Sequence, residues 1–217
     1  MPTPHRPLHV GVLGSAHITR NAIALPVTRS LQGLVELVGI ASRDPARAER
    51  MRHLLETPNA QIFPTYTALL QSKEIDAVYL PLPTSLHYRW AIAALKAGKH
   101  VLLEKPLTAN SAQAQQLALQ AAHSGRVLME GLHWWHHPFR AEVRRLVTEH
   151  LGQIEHIEAT FALRHIRNPT TNSRYSMKHA GGSTMDLGGY VLSCISDLLG
   201  EIPGKVDWSS ATRWSRD

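Results

Sequence analysis

The sequence predicts an α/β fold, with a doubly wound parallel sheet over residues 1–130 and a differently patterned part over 131–217. Two observations carry this expectation. Short apolar runs alternate with helical segments up to Glu130, the signature of parallel strands joined by right-handed crossovers. Six such runs occur by Glu130, the complement of a complete doubly wound nucleotide-binding domain, and the alternation then stops.

The elements follow in order. Leu8–Leu13 reads as the first strand, and Gly14-Ser15-Ala16-His17-Ile18-Thr19 follows it at once. A helix runs from about Ile18 to Ser30, with Pro26 expected to end or kink it. Val35–Ala41 is a second strand, Ala46–Leu55 a helix, Gln61–Phe63 a brief strand and Tyr66–Ser72 a short helix. Ala77–Leu80 is the fourth strand, and Leu86–Ala97 a helix stopped by Gly98. The fifth strand ends in Glu104-Lys105-Pro106. Asn110 or Ser111 caps the next helix, Gly125 ends it, and Val127–Glu130 is the sixth strand. Beyond it the pattern predicts an amphipathic helix over Phe139–His150, a long alternating strand over Gln153–Leu163 and a last helix over Met185–Leu199.

Composition narrows the class. Hydrophobic residues make up 43% and charged residues 18%, as in an ordinary globular protein. No apolar run reaches membrane-span length and no secretory leader opens the chain, so a cytoplasmic location is expected. A single cysteine, Cys194, excludes an internal disulfide. The net charge of +6 favours anionic small molecules, while the scattered Lys and Arg argue against nucleic acid. His133-Trp134-Trp135-His136-His137-Pro138 brings no converging Asp, Glu or Cys, so no metal site is expected.

The turn after the first strand places Gly14, Ala16 and Thr19 where a dinucleotide fingerprint has its three small residues. Only the first is glycine, so the motif is degenerate. The amides from Gly14 and Ser15 through Ala16, His17 and Ile18 would face the pyrophosphate at a helix N-terminus. At the end of the second strand stands Ser42-Arg43, where NAD enzymes place a carboxylate; Glu36 lies at the wrong end of that strand. A hydroxyl and a guanidinium suit a 2′-phosphate, which predicts NADP over NAD. The alternative is that Arg43 is a solvated surface residue. Glu104 and Lys105 sit where such sheets bind ligands, just beyond a strand's C-terminal end, and Lys105–Pro106 is a candidate cis bond. The plainer alternative is a solvated pair closing an ordinary strand.

Together, Gly11-Val12-Leu13-Gly14-Ser15-Ala16, Ile40-Ala41-Ser42-Arg43-Asp44-Pro45, Glu104-Lys105-Pro106 and Gly181-Gly182-Ser183-Thr184-Met185-Asp186 resemble the Gfo/Idh/MocA oxidoreductases. The similarity is greatest to the branch of dihydrodiol dehydrogenases, xylose dehydrogenases and glucose–fructose oxidoreductases. The resemblance implies a Rossmann domain followed by an α/β domain with a mostly antiparallel open sheet, bound NAD(P), and hydride transfer to or from a sugar, polyol or cyclic dihydrodiol. It implies Lys105 as the catalytic lysine, Glu104 as its companion beside the cofactor, and Asp186 as an active-site carboxylate. Tyr190 occupies the position that is histidine in many members. Leu82 and Pro83 resemble the loop beside the nicotinamide, and His87 either reaches the cofactor or is a partly exposed surface residue.

The chemistry is self-consistent. Asp186 and Tyr190 are four residues apart and share a helix face. Tyr190 would donate or accept the proton, with Lys105 lowering its pKa and orienting the substrate hydroxyl, although the two roles could be exchanged. Members of the family are longer, and most strands of their second sheet follow the point where this sequence stops. The second domain is therefore expected to be incomplete and the family's homo-oligomer doubtful here. A catalytically incompetent fragment, or a nucleotide-sensing module using only the first domain, is the alternative function. Glycoside hydrolysis through transient oxidation is a minor third.

Overall fold

The computed structural model describes residues 6–163, 172–200 and 209. Six parallel strands, β1 (Leu8–Leu13), β2 (Val35–Ala41), β3 (Gln61–Phe63), β4 (Ala77–Leu80), β5 (His100–Glu104) and β6 (Leu128–Gly131), form one sheet in the order β3-β2-β1-β4-β5-β6. The order reverses between β1 and β4, the point where doubly wound sheets hold their ligands.

Side chains of β4 divide the core. Ala77 and Tyr79 face one side with Val12, Ile40, Ile23 and Met51, while Val78 and Leu80 face the other with Leu69, Leu95, Leu103 and Leu117. That alternation buries both faces of the sheet, as helical crossovers require.

Helices α1 (Leu25–Arg29), α2 (Pro45–Leu54), α3 (Tyr66–Gln71), α4 (Thr84–Lys96) and α5 (Ser111–Ser124) link the strands. Their starts are written in the sequence. Asp44 accepts from the Ala46 amide at 2.9 Å, Thr65 from Ala68 at 3.0 Å and Asn110 from Gln113 at 3.0 Å, each meeting an amide that a helix start leaves free. Gly125, at φ 61°, closes α5 in the left-handed conformation. Pro26 does not end its helix. A π-helical turn over Arg20–Ala24 precedes it, with the Leu25 amide bonded back to the Arg20 carbonyl. The wider turn accommodates a proline that has no amide to give.

After β6 come a short 3-10 turn (His133–His136), α6 (Pro138–Leu146), further single turns, and α7 (Gly189–Leu199). Asp197 on α7, only 3% exposed, accepts from Arg140 at 2.6 Å and Arg144 at 2.9 Å on α6. Arg140 also lies over the Trp135 ring, so the two helices and the aromatic turn are tied at one point.

One sequence expectation is overturned here. Gln153–Leu163 forms no ladder with any strand among the described residues. Alternating hydrophobicity marks a chain suited to a sheet, but a strand exists only beside a partner that takes its hydrogen bonds. The short strand expected near Val206 lies outside the described residues.

Candidate active site

The turn leaving β1 is built on Gly14. Its φ of 117° is one that side-chain-bearing residues rarely adopt, and a β-carbon there would come within 2.9 Å of Leu82 on the β4 loop. The Gly14 amide is spent on the Ala41 carbonyl at 2.8 Å. Among the described residues the amides of Ser15, Ala16 and His17 donate to no protein acceptor, which leaves them available to an anion. Thr19, the third fingerprint position, is fully buried and fills the packing role that the motif assigns it.

Beside this turn, β2 ends in buried Ser42 and exposed Arg43. Ser42 Oγ accepts from the Asp44 amide at 3.5 Å. The Arg43 charge acts on the Tyr66 phenol, whose hydroxyl stands 4.0 Å from the Gly14 β-carbon position. Burial holds the Tyr66 phenol above its ordinary value, with Arg43 opposing. Tyr66, an ordinary helix-start residue in the sequence, thus links the charged end of β2 to the Gly14 turn.

A cavity of about 660 Å³ opens beyond the C-terminal ends of β1, β4 and β5. Ala16, Ile18, Leu82, Pro83, Glu104, Lys105, Asp186 and Tyr190 all line it. Of the other predicted site residues, Gly14, Ser15, His17, Ser42, Arg43 and His87 do not line this cavity. The sequence reading missed Phe161, Arg174 and His179, which form part of its far wall. Arg174 and His179 lie in a polar stretch with no period, and Phe161 sat in an expected strand.

Lys105 is the centre of the arrangement. The Lys105–Pro106 bond is cis. The ammonium donates to Asp186 Oδ1 at 2.7 Å and to the Asp186 carbonyl at 2.5 Å, with both side chains about 15% exposed. It lies 5.1 Å from the centroid of the Tyr190 ring, in reach of a cation–π attraction. Arg174 Nε also donates to Asp186 Oδ1, at 3.2 Å. Asp186 therefore spends its side chain on two cations and does not cap its helix. Glu104 is held from behind, its Oε1 accepting from the buried Tyr79 hydroxyl at 2.7 Å. Burial and the Glu104 charge push that phenol far above its ordinary value.

Two expectations change. The Tyr190 phenol is not lowered as expected, and Arg174 is the cation that opposes its rise. Burial, with the Glu104 and Asp186 carboxylates, holds the Tyr190 phenol above its ordinary value. His87 is not a surface residue: it is 1% exposed, and both ring nitrogens meet backbone carbonyls. Among the described residues no group of three or more His, Cys, Asp or Glu is placed to hold a metal ion. No helix there is long and apolar enough to cross a membrane.

Comparison with known proteins bears on the fold and the family. Residues 8–132 match the family described as "Oxidoreductase family, NAD-binding Rossmann fold". The chain is 37% identical over 200 residues to a dTDP-3,4-didehydro-2,6-dideoxy-α-D-glucose 3-reductase of Actinomadura kijaniata, covering 92% of this chain and 58% of that protein. It is 36% identical over 190 residues to D-xylose 1-dehydrogenase (NADP(+)) 2 of Haloferax volcanii, covering 88% and 57%. In structure it is similar to a 3-ketoreductase from Actinomadura kijaniata in complex with NADP and TDP-benzene, with TM-score 0.74, 34% identity, and coverage of 89% of this chain and 58% of that one. The chain thus spans less than two thirds of the length of these relatives. A complete 3-2-1-4-5-6 sheet, a glycine turn at its switch point and the match over residues 8–132 lead to one conclusion: the chain belongs to the Gfo/Idh/MocA oxidoreductase family.

Proposed function

We propose that this chain carries the cofactor half and the proton-transfer residues of an NADP-dependent oxidoreductase that interconverts a carbonyl and a hydroxyl on a sugar or related cyclic substrate. The observation that carries this reading is the convergence of Lys105, Asp186 and Tyr190 on one cavity beside the Gly14 turn. The division falls near residue 130, with the dinucleotide-binding sheet before it and the part bearing Asp186 and Tyr190 after it.

The residues present suit the cofactor. The Gly14 turn leaves no room for a side chain and offers unspent amides, which would hold the pyrophosphate. Ser42 and Arg43 would hold a 2′-phosphate, and Leu82 and Pro83, which line the cavity, would border the nicotinamide. When bound, the nicotinamide supplies or receives the hydride. Tyr190, with its pKa raised, keeps its proton through the neutral range and is suited to give it to a carbonyl oxygen. The name of the Actinomadura kijaniata reductase supports the reducing direction. Asp186 fixes the Lys105 ammonium, which orients the substrate oxygen. The same relative's name supports a nucleotide-linked sugar as one substrate class, alongside free aldoses and dihydrodiols.

The test is titration of the 217-residue chain with NADPH and NADH, followed by tryptophan quenching. NADPH is expected to bind the more tightly, and Arg43→Ala to weaken it roughly tenfold while leaving NADH unchanged. Binding of neither cofactor overturns the reading. Unchanged NADPH affinity in Arg43→Ala overturns the role of that residue.

A further inference from the structure

The His87 ring lies between two loops that border the candidate site. Its Nδ1 is 2.9 Å from the Pro106 carbonyl and its Nε2 is 2.7 Å from the Leu82 carbonyl. A carbonyl oxygen only accepts, and a neutral imidazole has one N–H. Both contacts can be hydrogen bonds only when the ring carries two protons. Both loops matter. Pro106 follows Lys105 directly, and Leu82 packs on the Gly14 turn.

Building on the function proposed above, we propose that His87 is a positioning residue that ties the Leu82 loop to the Lys105–Pro106 turn, holding one of them as a neutral ring and both as an imidazolium. It touches neither cofactor nor substrate and acts through the two backbones.

Its surroundings set the direction of the response. Burial lowers the pKa of the ring, while the carbonyls of Pro106 and Leu82 and the Glu104 carboxylate pull it up, with burial the larger. Of the neighbouring charged groups, Glu104 on β5 acts on the ring, the Lys105 ammonium is turned to Asp186, and Glu130 on β6, its own pKa raised by burial, accepts from the Leu107 amide at 2.8 Å. His179, from the turn packed on α4, pairs with Ser85 instead. The second tie therefore forms on acidification, below the range where exposed histidines titrate.

Nitrogen-15 NMR of the labelled wild-type chain without cofactor, from about pH 8 to about pH 5, reads this directly. The expected result is one ring, assigned to His87 through the backbone, with a single protonated nitrogen at the alkaline end. It gains the second proton after the exposed histidines, and the Leu82 and Thr84 amides shift at the same midpoint. A His87 ring that titrates with the exposed histidines, or amides that ignore its midpoint, overturns the proposal.

NADPH affinity over the same range separates this idea from the functional one. Wild type is expected to tighten on acidification by roughly fivefold more than His87→Gln, the scale of one net hydrogen bond. Parallel profiles overturn the clamp. If the amides follow His87 but NADPH binds neither protein, the clamp stands and the proposed function fails. Should the variant not fold, the wild-type titration decides alone.

Discussion

A half-buried phenol beside two carboxylates is hard to ionise, and this one physical fact shapes the proposed chemistry at Tyr190. Desolvation, Glu104 and Asp186 all disfavour the phenolate. The proton-donating form then prevails through the neutral range and is lost as the pH rises through the elevated pKa. Tyr190→Phe is expected to cut the rate of carbonyl reduction by roughly 10²–10³-fold while leaving NADPH affinity intact, as stopped-flow absorbance at the nicotinamide band can show. The alkaline limb of the wild-type rate profile should lie above the ordinary tyrosine value and vanish in the variant. Equal loss of NADPH binding would instead mark Tyr190 as a packing residue. At this scale Lys105, Pro106, Asp186 and Tyr190 were legible from spacing and motif. Arg174 was not, because its contact with Asp186 depends on how an aperiodic segment folds back over the cavity.

Elements were legible where a periodic pattern meets a partner supplied by the same sheet. The bounds read for β1 to β4 coincide with those observed, because short apolar runs between capped helices leave little freedom. Gln153–Leu163 shows the limit of that argument, as an alternating run specifies a face but not a neighbour. The tie between α6 and α7 was equally hidden, since Asp197 meets Arg140 and Arg144 only in three dimensions. Those guanidiniums hold the Asp197 carboxyl below its ordinary value. A lowered folded-state pKa adds stability that is complete above the unfolded value of 3.8 and is lost as the pH falls through the lower folded value. Asp197→Asn is expected to lower the thermal midpoint near neutral pH by roughly 3–6 °C and to flatten its acid dependence in this window. An unchanged midpoint in calorimetry would show that the helices are held by apolar contacts alone.

The whole molecule is organised around the crevice where strand order reverses. The turns after β1, β4 and β5 all open there, so a dinucleotide in the crevice would bridge several crossovers at once. At a concentration about 100-fold above its dissociation constant, NADPH is expected to stabilise the chain by about 2.7 kcal/mol, or roughly 5–10 °C in the thermal midpoint. A much smaller shift at saturating cofactor would show that the sheet does not unfold as one unit with the site.

By itself the sequence determined the parallel sheet, its helix caps, the glycine turn and the Lys105–Pro106 corner. Each depends on neighbours a few residues away or on a repeated period, and such local constraints survive reading in one dimension. Only the tertiary structure decided that Asp186 takes up the charge of Lys105, that Tyr190 is harder rather than easier to ionise, and that His87 is enclosed between two carbonyls. Those outcomes depend on burial and on charges brought together from segments far apart in the chain, and desolvation at such a meeting point is a property of the packed molecule rather than of any segment.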